Sequence, residues 1–205
     1  MRETIKIIIV EDDADFAYLI QKLLKRHKDI EVVCHCSDKK DALQKVIEEE
    51  PDIVLMDLNL GTSSMDGVLL SRKIRVMTDS KVLILTASNT PDMILKAAKE
   101  AFASGYIFKN QLSLLVEDIR TTAAGYTPQE YLIASSALSC LSEAEYAVFE
   151  IMMGKENHLQ SSPKTIANQK GRIVKKLGLE NQKELLHVFR MLQEDVKKGV
   201  GRLKN

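Results

Sequence analysis

The sequence predicts an α/β protein with a doubly wound parallel sheet of five strands, followed by a small all-α domain. In the first part of the chain, short apolar runs of strand length alternate with segments of helical periodicity. Such alternation is typical of a parallel sheet with helices on both faces. After residue 125, apolar residues recur at helical spacing, which favours a purely helical second domain.

The predicted strands are largely unbroken apolar runs, as expected for strands that are buried on both faces. The run at 53–56 is the clearest, because all four of its residues are apolar and it ends on Asp57. We predict strands at 5–10, 31–35, 53–56, 81–85 and 105–108, and helices at 15–27, 42–47, 66–77, 91–103 and 112–124.

Turn-forming residues at 125–128 indicate a boundary between two domains. We place the α/β domain at 1–124, a linker with a helix at 125–139, and the helical domain at 140–205. Capping signals predict that the helices of the last domain begin after Ser142, Ser162 and Asn181. A chain of 205 residues with 45% hydrophobic content is long enough to bury cores of this kind.

The charge of the chain is unevenly distributed. Basic and acidic residues number 29 each, so the formal net charge is zero. From Lys155 onward, however, 12 basic and 5 acidic residues give +7, which leaves −7 for the rest of the chain. An acidic first part is suited to binding a cation, and a basic end is suited to a polyanion.

Several classes of protein are disfavoured. The sequence has no apolar run near the roughly 18 residues of a membrane span, and the apolar stretch near its start is too short for a secretory signal. Three cysteines do not suggest a disulfide framework. Cys34 and Cys36 share one strand face without a second ligand pair, so a metal site there is not favoured. We therefore expect a reduced, cytoplasmic setting.

Four of the predicted strands end in charged or hydroxyl side chains. These residues are Glu11 and Asp12 after the first strand, Asp57 after the third, Thr86 after the fourth and Lys109 after the fifth. All of these strand ends lie on one edge of a parallel sheet, where ligands of open α/β sheets usually bind. Clustered carboxylates repel one another unless a cation joins them, and Mg²⁺ suits such an oxygen-rich pocket.

This pocket has the composition needed for phosphoryl transfer. With a cation nearby, Asp57 is placed to act as a nucleophile and to form an aspartyl phosphate. Lys109 would pair with phosphoryl oxygens, and the hydroxyl of Thr86 would donate a hydrogen bond to one of them.

The first domain resembles the receiver domain of two-component response regulators, whose fold is flavodoxin-like. The resemblance rests on VEDD at 10–13, Asp57, Asp66-Gly67, LTA at 85–87 and GYIFK at 105–109. It implies that a histidine kinase phosphorylates Asp57, and that Glu11, Asp12 and Asp57 bind Mg²⁺ together with the backbone carbonyl of Asn59. It also identifies Tyr106 with the family's switch aromatic, which turns inward when Thr86 moves toward the phosphate.

The loop at 61–67 departs from the receiver pattern, since it is about two residues longer than the usual form and lacks its proline. We expect this difference to affect the rate of phosphorylation rather than its occurrence. A receiver that never takes up phosphate is the competing interpretation, and the complete set of pocket residues argues against it.

The second domain resembles the LuxR/NarL-type helix-turn-helix domain between residues 141 and 192. On the predicted helix after Ser162, four residues lie on the outward face, where they would contact DNA: Lys164, Asn168, Arg172 and Lys175. Asn side chains can read adenine edges, while Lys and Arg serve phosphates or guanine.

This domain departs further from its family than the first. The segment between Gly154 and Ser162 is about six residues short of the family pattern, so we expect the scaffold helix to be truncated or lost. Ala167 stands where the family commonly has a lysine, and Gly171 lies in mid-helix. A helical module that binds a protein partner or dimerises therefore remains an alternative to DNA binding.

Together these features predict a response regulator that is phosphorylated on Asp57 and controls transcription through DNA binding by its C-terminal domain. We expect a homodimer in the phosphorylated state. The protein is not expected to be a turnover enzyme, because the acid/base and cap elements of a Mg²⁺-dependent phosphohydrolase are not evident in the sequence.

Overall fold

The sheet of the first domain is five-stranded and entirely parallel, as predicted. The structure, a computed structural model, describes residues 4–60, 66–87 and 90–193. The strands are β1 (Ile5–Val10), β2 (Ile30–Cys36), β3 (Ile53–Asp57), β4 (Lys81–Thr86) and β5 (Gly105–Phe108). Their order across the sheet is β2-β1-β3-β4-β5, and each neighbouring pair is parallel. This order is that of a doubly wound, flavodoxin-like sheet.

Helices cover both faces of this sheet. They are α1 (Ala14–Leu24), α2 (Lys39–Glu49), α3 (Asp66–Met77), α4 (Pro91–Ala101) and α5 (Leu115–Ala124), with a short 3₁₀ helix at Leu112–Leu114 before α5. Alternate residues of β1 enter different cores, because successive side chains of a strand point to opposite faces. Ile7 and Ile9 pack with α1 and α5, whereas Ile8 and Val10 pack with α2, α3 and α4.

Two predicted helices end earlier in the structure than the sequence pattern indicated. The helix α1 ends at Leu24 rather than at 27, where Lys25 caps it with its backbone N–H. The helix α4 ends at Ala101 rather than at 103, because Phe102 adopts a left-handed conformation with φ of 52°. Apolar residues continue past the end of α4, at Phe102 and Ala103, whereas α1 is followed by a polar segment, so apolar periodicity located neither end.

The C-terminal part is helical, as predicted. Its helices are α6 (Pro128–Leu138), α7 (Glu143–Met152), α8 (Pro163–Lys176) and α9 (Gln182–Val188). Ser142, Ser162 and Asn181 each cap the following helix through a side-chain hydrogen bond, and Ser142 forms a capping box with Glu145. These caps satisfy backbone N–H groups that have no partner within the helix.

No helix lies between α7 and α8, where residues 153–162 are all described. The expected loss of the scaffold helix is therefore confirmed. The core of this part is built around Phe149 and Phe189, whose rings meet edge to face at a centroid distance of 5.5 Å. Lys176 pairs with Glu145 at 2.6 Å and so links α8 to the start of α7.

The chain divides into two compact units, Met1–Ile133 and Ala134–Asn205. The division falls inside α6, and therefore inside the segment 125–139 that the sequence indicated as a linker. Residues 194–205 of the predicted last domain, and residues 61–65 of the lengthened loop, lie outside the described part. Among the described residues, no helix is both long and apolar enough to cross a membrane.

Candidate functional site

The candidate site lies at the carboxyl ends of β1 and β3, which are neighbours in the sheet. The chain leaves β1 toward β2 on one side of the sheet, whereas the connections after β3 run toward the other side. A crevice forms where the strand order reverses in this way. Glu11 and Asp12 directly follow β1, and Asp57 is the last residue of β3.

A buried ion triad occupies this crevice. The Nζ atom of Lys109 lies 2.8 Å from Glu11 Oε2 and 3.1 Å from Asp57 Oδ2. Glu11 is fully buried and Asp57 is 2% exposed. Residues from the ends of three strands are thus brought together, as the sequence predicted.

The electrostatics of the triad reflect its burial. Burial raises the pKa of the Glu11 carboxyl, and the charge of Asp57 acts in the same direction, although the hydrogen bond from Lys109 opposes both. Burial acts to lower the pKa of Lys109, but its bonds to Glu11 and its attraction to Asp57 outweigh that effect and raise it. The ammonium is therefore charged at neutral pH and partly compensates two carboxylates that would otherwise repel each other.

The carboxylates also have the arrangement of a cation site. One oxygen each from Glu11, Asp12 and Asp57 can be chosen so that all three lie within 4.8 Å of one another. Glu11 Oε2 is buried and accepts no well-aligned hydrogen bond within the described part of the chain, although it is close to the ammonium of Lys109. A hard divalent cation fits these residues, since Glu11 Oε2 could serve as one of its oxygen ligands.

Of the remaining predicted residues, Thr86 and Asn59 are hydrogen-bonded to residues of the triad, whereas Tyr106 contacts Phe108. Thr86, at the end of β4, is 2% exposed, and its carbonyl accepts a hydrogen bond of 2.8 Å from the backbone N–H of Lys109. The backbone N–H of Asn59 donates to Asp57 Oδ1 at 3.2 Å. Tyr106 is half-buried on β5, with its ring edge to face against Phe108 at 5.9 Å.

The surroundings of Gly67 explain why glycine follows Asp66 in the receiver motif. A Cβ atom at this position would lie 2.3 Å from the carbonyl oxygen of Asp57 and 2.6 Å from Leu58 Cα. Glycine is therefore needed because the start of α3 passes directly against the backbone of Asp57 and Leu58.

Three contacts at this site were not predicted from the sequence. Asp13, the third acidic residue after β1, caps α1 instead of facing the cation cluster, with its side chain accepting from the N–H groups of Asp15 and Phe16. The ring of Phe16 lies 4.5 Å from Lys109 Nζ. His35 Nε2 lies 2.7 Å from the carbonyl oxygen of Glu11, which ties β2 to the site. An aspartate directly before a predicted helix is a known N-cap signal, so the role of Asp13 could have been predicted. The other two contacts join residues that are far apart in sequence.

The predicted DNA contacts lie on α8. The helix carries Lys164, Asn168, Arg172 and Lys175, and all four are exposed. Their spacing places them along one side of the helix. The opposite side is apolar: Ile173, Val174 and Leu177 are buried. The four polar side chains are therefore exposed to solvent, while the opposite, apolar side of the helix is buried.

The fold and the buried carboxylate–lysine site together define a receiver, the class of domain that accepts a phosphoryl group on an aspartate. In agreement, residues 7–120 match the family of response regulator receiver domains. The match covers more than half of the chain.

Relatives extend this result beyond the receiver. The oxygen regulatory protein NreC of Staphylococcus aureus is 28% identical over a match that covers 88% of this chain and 94% of NreC. A LuxR-family two-component response regulator from Aurantimonas sp. SI85-9A1 is 31% identical, with a TM-score of 0.56, covering 66% of this chain and 96% of that one.

RcsB from Salmonella enterica serovar Typhimurium, solved bound to the promoter rprA, matches 91% of this chain and 98% of its own. Its TM-score is 0.54 and its identity 22%, so this likeness shows the fold alone.

The chain therefore belongs to the two-component response regulators, in their LuxR/NarL group. It is a regulator in the two-component control of transcription.

Proposed function

We propose that Asp57 is the phosphoacceptor of this response regulator and that its phosphorylation controls DNA binding by α8. The observation that carries the proposal is the buried triad, in which one ammonium lies within 3.1 Å of both Asp57 and Glu11. A buried carboxylate beside a cation, at the ligand-binding edge of an α/β sheet, has the features of an activated nucleophile.

In this reaction a carboxylate oxygen of Asp57 attacks the phosphorus of a phosphohistidine on the kinase. The bond between phosphorus and the histidine nitrogen breaks, and the nitrogen keeps the electron pair. Lys109, already 3.1 Å from Asp57, would follow the new phosphoryl oxygens with little movement. Thr86, at the end of the adjacent strand, would donate its hydroxyl to another of these oxygens.

Glu11, Asp12 and Asp57 would hold Mg²⁺, with the Asn59 carbonyl as a further ligand. The ion would neutralise charge on the transferring phosphoryl group and on the carboxylates. The protein accepts one phosphoryl group and does not act as a turnover enzyme.

DNA binding is assigned to α8. Its outward residues, Lys164, Asn168, Arg172 and Lys175, combine phosphate-binding and base-reading side chains on one exposed face. RcsB, which shares the fold of this chain, was solved bound to the promoter rprA. Dimerisation on phosphorylation and a cytoplasmic location stay predictions.

The second candidate function keeps the receiver but replaces DNA with a protein partner. It is favoured by one observation: residues 153–162 form no helix, so α8 lacks the scaffold helix that precedes a recognition helix in the family pattern.

Phosphorylation is tested by incubating the protein with a small phosphodonor and Mg²⁺ and measuring intact mass. We expect a gain of one phosphoryl group that is absent in Asp57→Asn and retained in Asp52→Asn, a matched change of an exposed carboxylate before the same strand. A gain of equal size in Asp57→Asn, or none in the unmodified protein, would refute the assignment.

A further inference from the structure

The ammonium of Lys109 is bordered on two sides by carboxylates and on a third by an aromatic ring. Glu11 and Asp57 accept its hydrogen bonds at 2.9 and 3.1 Å. The centroid of the Phe16 ring lies 4.5 Å from Nζ, within the range of a cation–π contact. The lysine side chain is still 19% exposed, so the ring and the carboxylates cover it only in part.

The position of Phe16 is fixed by the start of α1. Asp13 Oδ1 accepts hydrogen bonds from the N–H groups of Asp15 at 3.0 Å and Phe16 at 3.1 Å. The ring is half-buried and packs against the core on the α1 side of the sheet. The acidic run after β1 therefore has two structural roles: Glu11 and Asp12 belong to the carboxylate cluster, whereas Asp13 positions the aromatic ring.

A ring has an advantage over another carboxylate at this position. The carboxylates that hold Lys109, those of Glu11 and Asp57, are the ones that a bound cation would also use. When a metal takes those oxygens, the ammonium loses part of its attraction to them. The ring face keeps attracting the ammonium, since its oxygen-free surface cannot serve as a ligand for a hard divalent ion.

We propose that Phe16 is a positioning residue for phosphoryl transfer, which holds Lys109 beside Asp57 while the carboxylates bind the metal. This inference rests on the proposed function of Asp57. Phe16 is not part of the carboxylate cluster that would bind the metal, and it acts through its contact with Lys109.

The test compares the full-length protein with Phe16→Leu, which keeps an apolar side chain, and with Phe16→Tyr, which keeps the ring face. The phosphorylation rate with a small phosphodonor and Mg²⁺ is expected to fall roughly three- to tenfold in Phe16→Leu. The rate in Phe16→Tyr should stay within about twofold of the unmodified protein. Loss in the first variant and rescue in the second would assign the effect to the aromatic face.

A second measurement does not depend on phosphorylation. The rate at which an amine-directed reagent labels Lys109, read by peptide mass spectrometry in the presence of saturating Mg²⁺, should rise in Phe16→Leu and not in Phe16→Tyr. Labelling of the exposed Lys73 serves as the internal control and should be equal in all three proteins.

Unchanged labelling of Lys109 in Phe16→Leu, or equal loss of phosphorylation rate in both variants, would overturn the inference. Failure of the proposed function is distinguishable from this, because it would appear as no mass gain in the unmodified protein. The labelling result would still report on the contact between ring and ammonium.

Discussion

Glu130 is the residue whose surroundings depart most from what its sequence position suggests. It belongs to the first turn of α6, yet it is only 1% exposed. Its Oε1 accepts from Arg75 Nη2 at 3.2 Å and from Ser104 Oγ at 3.1 Å, while its Oε2 lies 3.3 Å from Lys81 Nζ. The guanidinium of Arg75 is itself buried and also donates to backbone carbonyls. This carboxylate therefore balances two cations inside the first compact unit.

Replacing Glu130 with Ala should destabilise the first unit strongly. The substitution leaves the charge of Arg75 buried without its carboxylate, and breaking a buried ion pair on one side costs about 3–5 kcal/mol. The free energy of unfolding in urea, followed by circular dichroism, measures this loss. Glu49→Ala, at an exposed position, is the control and should change the value by about 0.5 kcal/mol at most. A loss below about 1 kcal/mol in Glu130→Ala would show that the pair carries little of the stability.

The residues of the proposed phosphorylation site were predictable from the sequence, whereas the buried pair of Glu130 and Arg75 was not. Asp57 ends β3 and Lys109 follows β5, and a parallel sheet brings all strand ends to one edge, so their proximity follows from the fold class. Glu130 and Arg75 are 55 residues apart, and no local periodicity relates them. Such pairs depend on how loops and helices pack over the sheet.

At the scale of single elements, α8 combines good local signals with one unfavourable residue. Ser162 caps the helix and Pro163 occupies its first turn, both of which favour a helix start. Gly171 lies in the middle of the helix, where glycine is destabilising relative to alanine by roughly 1 kcal/mol. A Cβ atom at this position would meet nothing within 4 Å. No packing contact therefore requires glycine there.

Substituting Gly171 with Ala should stabilise the helical unit by about 0.4–1 kcal/mol, because the unfolded chain loses conformational freedom and the helix gains a favourable residue. Thermal unfolding followed by circular dichroism checks this. Ala167→Gly, at an exposed position of the same helix, is the reciprocal control and should destabilise by a similar amount. Destabilisation by Gly171→Ala would mean that a surface of α8 must approach another group closely.

The elements were predicted most accurately where sequence signals and packing agree. The predicted bounds of β1, α3 and β5 match the structure. The ends of α1 and α4 were missed, since a single left-handed residue, Phe102, ends α4 within a run that remains apolar. The absence of a helix at 153–162 was foreseen, because the chain there is too short for the family's scaffold helix.

At the scale of the whole molecule, the first half of α6 belongs to the first compact unit, although the predicted first domain ended at residue 124. We propose that the receiver as a folding unit includes residues through Ile133, because Glu130 and Ile133 are both buried in the first compact unit. Gln129 Oε1 also accepts the backbone N–H of Tyr106 at 3.0 Å, at the edge strand of the sheet. The backbone of Tyr106, the residue predicted to be the switch aromatic, is thereby bonded to the first turn of α6.

The central claim is that phosphorylation of the receiver controls DNA binding by α8. The measurement that tests it most directly is the affinity of the full-length protein for duplex DNA across a salt series, with and without phosphodonor. Arg172→Ala combined with Lys175→Ala removes two exposed charges from α8. Lys25→Ala combined with Lys28→Ala removes the same charge from the receiver and is the matched control.

We expect a several-fold gain in affinity on phosphorylation and a steep fall of log affinity with log salt, since each phosphate contact releases counterions. The α8 variant should lose affinity and show a salt slope shallower by about 2, whereas the receiver control should leave the slope unchanged. Weak binding that is insensitive to both phosphorylation and the α8 substitutions would contradict the account and favour a protein partner for the helical unit.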